Sequence, residues 1–310
     1  MVTISQNNAT EDIRLSVVIV TYNRSRDLKE TLESLFQMTT KPYEVIVVDS
    51  NSADDTRQVV ESYEAKFIMI KEKSMVKARN TGLEKASGNV VAFIDDDVVV
   101  TPDWSKHIID LYKDENVGGV GGRVLPLGNR PEISGVNVKF QTIGKLYDNG
   151  FITNNYDLVT KRPIEVDVLI GCNMSFRRRL LQKIKGFDTN FKGTCFREDT
   201  DVSTRIKRLN YKLLYNPEAL LYHKYKGKKI NQKWFYWYAY NHFYFCFKNL
   251  QPVNLTKAIK IFRGAFLPPG GYMKKSGIQL RIGPLVGFNI IAGILDANRA
   301  YRRTRANNGI

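Results

Sequence analysis

Ten residues, Asn89 to Val98 (NVVAFIDDDV), constrain the fold more than any others, because three carboxylates follow directly on an apolar run. Val90, Val91, Ala92, Phe93 and Ile94 read as a strand buried on both faces, the near-continuous pattern of a central parallel strand. Asp95, Asp96 and Asp97 then fall at its carboxyl end, the edge where open α/β sheets bind ligands. Two-residue alternation points Asp95 and Asp97 to one side and Asp96 to the other. Two like charges about 5 Å apart at an effective dielectric of about 20 repel by roughly 3 kcal/mol, so a cation between them is the natural remedy. A solvated acidic turn is the alternative.

The preceding chain alternates in period. Residues 16–22 (SVVIVTY) predict a strand, and Ser25 can cap a helix whose Leu28, Leu32, Leu35 and Phe36 form an apolar stripe. The connection TYNRSRD lacks glycine, which excludes the glycine-rich dinucleotide-binding turn. A second strand, Glu44 to Ser50, ends in Asp49, placed to accept hydrogen bonds from a base or ribose or to cap its own loop. A helix is expected over 54–64, a third strand over Phe67–Lys73 and a helix over Ser74–Ala86, with Lys77 and Arg79 near its start. Cations there oppose the helix dipole; an anion such as a diphosphate would account for them, and solvation is equally open. The whole predicts an α/β fold of three layers with a mostly parallel sheet.

These segments resemble the nucleotide-binding half of family 2 glycosyltransferases: TYNR after the first strand, VVDSNSADDT after the second, KARNTG before the fourth, and FIDDDV at its end, whose acidic spacing matches the family's DxD. The resemblance implies an A-type glycosyltransferase fold that binds a nucleotide-diphosphate sugar. By that resemblance Thr21, Tyr22, Asn23, Asp49, Lys77 and Arg79 would line the nucleotide, Asp95 and Asp96 would lie on the donor side, and Asp97, with Asp95, would bind a divalent metal.

Further along, 102–113 suits a helix with Pro102 in its first turn. The GGVGG at 118–122 follows a helix instead of opening one and is a weak phosphate cradle. Residues 126–163 read as a variable loop region over an acceptor site, and Val166–Arg177 as a strand. GCNMSFRR, KGFD, REDTDVSTRI and LYNPEALLYH resemble the second half of the same family, in order. That resemblance implies that Asp199 is the base that takes a proton from an acceptor hydroxyl, with Glu198 beside it; capping of their helix is the structural alternative. His223 matches a position that sometimes joins the metal, and an imidazole ligand would favour Mn²⁺ over Mg²⁺.

Charge divides the chain. Of 47 lysines and arginines 16 follow His223, where Asp296 is the single acidic residue, so 224–310 carry +15 of the formal +16. Such confinement fits contact with an anionic membrane surface better than a nucleic-acid partner, although a polyanion binder using the basic, aromatic tail is the rival class. Trp234 to Phe247 is aromatic on nearly every helical face, a composition found at membrane interfaces, and Leu285–Leu295 is too short to cross. Three cysteines without CxxC spacing give no zinc site or disulfide framework, and the amino terminus has no signal-peptide pattern, so a peripheral, cytoplasmic location is expected. The expected division is a flexible 1–14, a catalytic 15–224 and a helical, membrane-interface 225–310. The expected activity is inverting, metal-dependent transfer to a hydroxyl of a glycan or lipid-linked acceptor. A polyprenyl-phosphate glycosyltransferase is the alternative within enzymes, and an inactive nucleotide-sugar sensor a third reading.

Overall fold

The computed structural model describes residues 12–127, 142–224, 231–250, 253, 255–266 and 284–307. The expectations for most of the amino terminus, for 128–141 and for the basic segment 225–230 lie outside these residues.

The strands β1 (Leu15–Thr21), β2 (Glu44–Asp49), β3 (Lys66–Met69) and β4 (Val90–Asp95) form a parallel block in the order β3-β2-β1-β4. Helices α1 (Ser25–Phe36), α2 (Thr56–Glu61) and α3 (Met75–Lys85) connect them. Alternation along β1 divides the core: Leu15, Val17 and Ile19 face Leu28, Leu32 and Leu35 of α1, whereas Val18 faces Val76 and Leu83 of α3. Both faces are therefore covered, as in a three-layer α/β fold.

The sheet continues through three long-range strands. β10 (Asn173–Arg177) runs antiparallel between β4 and β6 (Val117–Pro126), and β11 (Lys212–His223) lies parallel to β6. The short β5 (Val98–Val100) closes this edge antiparallel to β11, with His223 opposite Val98. Its outer side is not open: Thr31 Oγ1 of α1 donates to the Val98 carbonyl (2.7 Å) and accepts from Val98 N (3.1 Å), and Ser34 Oγ accepts from Val100 N (3.2 Å). β9 (Ile164–Glu165) pairs with β11, and β7 (Ile143–Leu146) with β8 (Ile152–Asn154) forms a separate hairpin.

Four sequence expectations change. GGVGG, weak as a phosphate cradle, is part of β6: a Cβ on Gly119 would meet Phe176 and Leu213, and one on Gly122 the Ala219 carbonyl, so glycine there permits tight strand packing. The strand expected over 166–177 is continuous only over Asn173–Arg177. The helix after Pro102 runs as α4 (Trp104–Ile109) and then tightens into a 3₁₀ turn. The variable region contains the β7–β8 hairpin.

The largest change concerns the aromatic tail. After α5 (Arg178–Lys183) and α6 (Glu198–Lys207), helices α7 (Gln232–Asn249), α8 (Leu255–Phe266) and α9 (Pro284–Asn307) follow. Phe235 and Tyr238, expected at a membrane, are only 3% and 4% exposed, and Tyr244 and Phe245 are fully buried. They share one hydrophobic cluster with Val202 and Ile206 of α6, and Trp237 packs over Gly193. No described helix is long and apolar enough to cross a membrane. Asp201 of α6, fully buried, accepts from Arg205 Nε (2.7 Å), Lys248 Nζ (2.9 Å) and Asn249 Nδ2 (2.8 Å), which fastens α7 to α6. Removing one member of a buried charge network costs about 3–5 kcal/mol. Asp201→Ala should lower unfolding stability by that amount in urea titrations, whereas a loss under about 1 kcal/mol would mean that α7 is held by apolar packing alone.

Candidate active site

The functional side chains collect at the carboxyl ends of β1, β4 and β11, which border a cleft of about 580 Å³ lined in part by Thr21, Tyr22, Arg24, Lys73, Asp95, Asp96, Asp97, His223 and Lys224. Register sets this convergence: β1 pairs with β4 up to Val20 and Asp95, while the β11–β5 pairing puts His223 beside the Asp96–Asp97 turn and Lys224 N donates to the Asp97 carbonyl at 2.8 Å.

The aspartates separate as strand alternation predicts. One ligand atom each of Asp95, Asp97 and His223 lie within 4.8 Å of one another. His223 Nε2 is 3.1 Å from Asp97 Oδ1 and 3.6 Å from Asp95 Oδ2. Burial opposes the imidazolium, but the two facing carboxylates of Asp95 and Asp97 outweigh it and raise the His223 pKa to about 9. Asp96 turns away, accepting from Thr21 Oγ1 (2.7 Å) and Arg24 Nη1 (2.8 Å), and burial pushes its carboxyl up to about 6. Arg24 also reaches Asp97 Oδ2 at 2.9 Å. Sequence reasoning passed over Arg24, although it ends the TYNR segment; the signal was its place directly after β1.

Asn23 and Asp49 stitch the two neighbouring loops. Asn23 is left-handed (φ 52°), and its Oδ1 accepts from Ala53 N (2.7 Å), while Asp49, 2% exposed, accepts from Ser52 N (2.9 Å) and Ser52 Oγ (2.5 Å). Lys73 Nζ lies 4.2 Å above the Tyr22 ring. Lys77 is exposed and paired with Glu72, and is not among the described residues lining the cleft.

Arg79 points inward. It is 2% exposed, donates to the Gly171 carbonyl (3.0 Å), contacts Asp95 Oδ1 (3.5 Å) and pairs with Glu198 at the start of α6. Gly171 N in turn donates to Asp199 Oδ2 (3.0 Å), and Asp199 Oδ1 accepts from Thr200 N (2.6 Å). Asp199 is partly exposed, whereas Glu198 is 4% exposed and its Oε2 has no hydrogen-bond partner. Burial pushes Glu198 up to about 8 against the opposing charge of Arg79, because one guanidinium is shared with Asp95 and Asp199.

The profile of the family described as "Glycosyl transferase family 2" matches residues 16–185, more than half of the chain. The chain belongs to glycosyl transferase family 2. A curated relative, the glucosyl-dolichyl phosphate glucuronosyltransferase of Haloferax volcanii, is 28% identical over 248 residues, covering 74% of this chain and 76% of that protein. The fold matches the crystal structure of Staphylococcus aureus TarS 1–349 in complex with UDP-GlcNAc, with a TM-score of 0.63 at 18% identity over 93% of this chain and 82% of that one. It also matches the Pyrobaculum calidifontis mannosyltransferase PcManGT in complex with GDP-Man and Mn²⁺, with a TM-score of 0.54 at 19% identity over 94% and 88%. The protein is a glycosyltransferase with the A-type fold expected from its sequence.

Glu198 yields a pH test. Its folded pKa lies above the ordinary 4.5, so its stabilising contribution is complete below about 4.5 and is lost as pH rises through about 8. Glu198→Gln, which keeps an acceptor for Arg79, should remove that loss. The difference in unfolding free energy between wild type and variant, from urea titrations, should therefore change across this window by an amount on the order of a few kcal/mol. A flat difference would show that Glu198 is ionised throughout.

Proposed function

We propose that the transferase moves a sugar from a nucleotide diphosphate to an acceptor hydroxyl with inversion, using a divalent metal at Asp95, Asp97 and His223 and Asp199 as base. The observation that carries this reading is the link made by Arg79, which contacts Asp95 at the cleft and, through Gly171, adjoins the Asp199 carboxylate. Asp95, on the proposed donor side, and Asp199 would thereby be held in a fixed relation to each other.

The residues present fit a cation. Asp97 Oδ1 is buried without a hydrogen bond although an imidazole nitrogen is 3.1 Å away, and two carboxylates with one imidazole are a donor set that suits Mn²⁺. The metal complexes named for the mannosyltransferase support the same assignment. When bound, the ion would supply Lewis-acid stabilisation of the leaving diphosphate. Thr21, Tyr22 and Arg24 would orient the nucleotide, and Lys73 and Lys224, lining the same cleft, would add positive charge toward its phosphates. Asn23, Asp49, Lys77 and Asp96 remain assigned to the donor side, with Asn23, Asp49 and Asp96 shaping the loops under it. Asp199, partly exposed and acting as the only required base, would take the hydroxyl proton while Glu198 and Arg79 hold its helix in place.

In calorimetry with Mn²⁺ and a panel of nucleoside diphosphates and their sugars, Asp97→Ala should abolish metal-dependent donor affinity. Asp199→Asn should keep that affinity and lose about 10²-fold or more in transfer. Donor affinity unchanged in the first variant, or normal transfer in the second, overturns the respective role.

We also propose a peripheral position on the cytoplasmic face of an anionic membrane. With the α7 aromatics buried, support comes from the basic tail and from the exposed stripe Phe288, Ile291 and Leu295 on α9 (68%, 58% and 54% exposed). Co-sedimentation with anionic liposomes should weaken in high salt and in Phe288→Ser/Ile291→Ser. Equal recovery with neutral and anionic liposomes would remove the electrostatic part of the claim.

A further inference from the structure

A second cavity, of about 700 Å³, lies where the turn between β7 and β8 meets α8. Its lining combines two rings, Tyr147 and Phe151, with two ammonium groups, Lys257 and Lys260; Asp148 is the one carboxylate among the described lining residues. The rings stand 5.8 Å apart, centroid to centroid. Lys257 and Lys260 are three residues apart on α8 and so share a face; Lys257 Nζ also donates to the Leu250 carbonyl, and an anion between the two ammonium groups would relieve their repulsion. A terminal phosphate monoester carries about −1.5 to −2 at neutral pH, enough to match both ammonium groups.

The turn is coupled to the carboxylates. Gly150, at its centre, is left-handed (φ 76°), and a Cβ there would lie 2.8 Å from Cys246 Sγ and 3.1 Å from His242 Cε1, so the turn sits directly on α7. The Gly150 carbonyl accepts from Arg197 Nη2 at 2.8 Å. Arg197 is itself left-handed (φ 77°), buried, stacked on Phe196 (4.5 Å) and has no hydrogen bond at Nε. It caps α6 immediately before Glu198 and Asp199, so at most about 7 Å of chain separates it from the base. A strained, buried cation that spends a hydrogen bond on this turn makes sense if the turn positions something relative to Asp199.

We propose that the second cavity is the acceptor subsite, and that it takes the phosphate-bearing part of a sugar-phosphate acceptor, with the phosphate at Lys257 and Lys260 and the adjoining sugar or chain on Tyr147 and Phe151. This rests on Asp199 being the base. In the step, the acceptor hydroxyl oxygen bonds to the anomeric carbon of the donor and its proton passes to Asp199. The bond from that carbon to the donor's phosphate oxygen breaks, its electron pair leaves with the nucleoside diphosphate, and the acceptor's own phosphate is unchanged.

The test is calorimetry on the full chain in EDTA, which keeps phosphates out of the Asp95–Asp97 cleft, with glucose 1-phosphate and monomeric farnesyl diphosphate as probes. The wild type should bind at least one of them. Lys257→Gln/Lys260→Gln should weaken that binding by tenfold or more, and Lys257→Arg/Lys260→Arg should retain it. Tighter binding of farnesyl diphosphate identifies a lipid-linked acceptor, and tighter binding of glucose 1-phosphate a water-soluble one. Wild type that binds neither probe, or a Gln variant that binds as well as wild type, overturns the subsite. Mn²⁺-dependent affinity for nucleoside diphosphates, measured on the same proteins, should be equal in wild type and Gln variant. Its absence from the wild type would defeat the donor reading instead, so the two failures are separable.

Discussion

Arg79 is a guanidinium sealed inside the protein, and its position decides how the two halves of the fold meet. It comes from α3, in the amino-terminal parallel block, and its contacts are Asp95 at the end of β4, the Gly171 carbonyl before β10 and Glu198 at the start of α6. Burying such a cation costs several kcal/mol, and only well-placed carboxylates and carbonyls offset it. Because the partners come from segments separated by more than a hundred residues, the offset is available only once β10 has inserted beside β4 and α6 has docked. The ion network therefore favours the one arrangement in which Asp95 at the cleft and the start of α6 are held by the same guanidinium.

The charge balance around this arginine also explains why adjacent carboxylates differ. Asp199 is partly exposed and takes hydrogen bonds from two backbone amides. Glu198 is enclosed, shares its only cation and leaves one oxygen unpartnered, which favours a proton. Neighbours in sequence thus meet unlike surroundings, because the helix start turns one outward and the other inward.

Much of this was legible in the chain because the parallel block is encoded locally. Val90–Ile94 is apolar on both faces, Leu28, Leu32 and Leu35 keep helical spacing, and the aspartates follow strand period, so β1, β2, β4 and the separation of Asp96 from Asp95 and Asp97 could be read in advance. The carboxyl half could not, because its elements are set by distant partners. β6 is a strand made of glycines whose space is filled by Phe176 and Leu213 from other strands, a fact no local periodicity carries. The rings of α7 have the composition of a membrane interface, yet the same apolar rings suit a core once α6 and the 24-residue α9 supply the covering surfaces. Arg24 escaped notice since its partners, Asp96 and Asp97, lie more than 70 residues away.

The strand β5 has one further consequence. An outer strand ordinarily offers a row of free amides and carbonyls that can recruit another chain. Here Thr31 and Ser34 take the place of that missing neighbour, bonding both the carbonyl and the amide of Val98 and the amide of Val100. Foreign strands cannot template on the segment that leaves Asp97 unless α1 first lets go. The side of the sheet that carries Asp95, Asp97 and His223 is in this way guarded against strand exchange and aggregation by two hydroxyl groups of a helix.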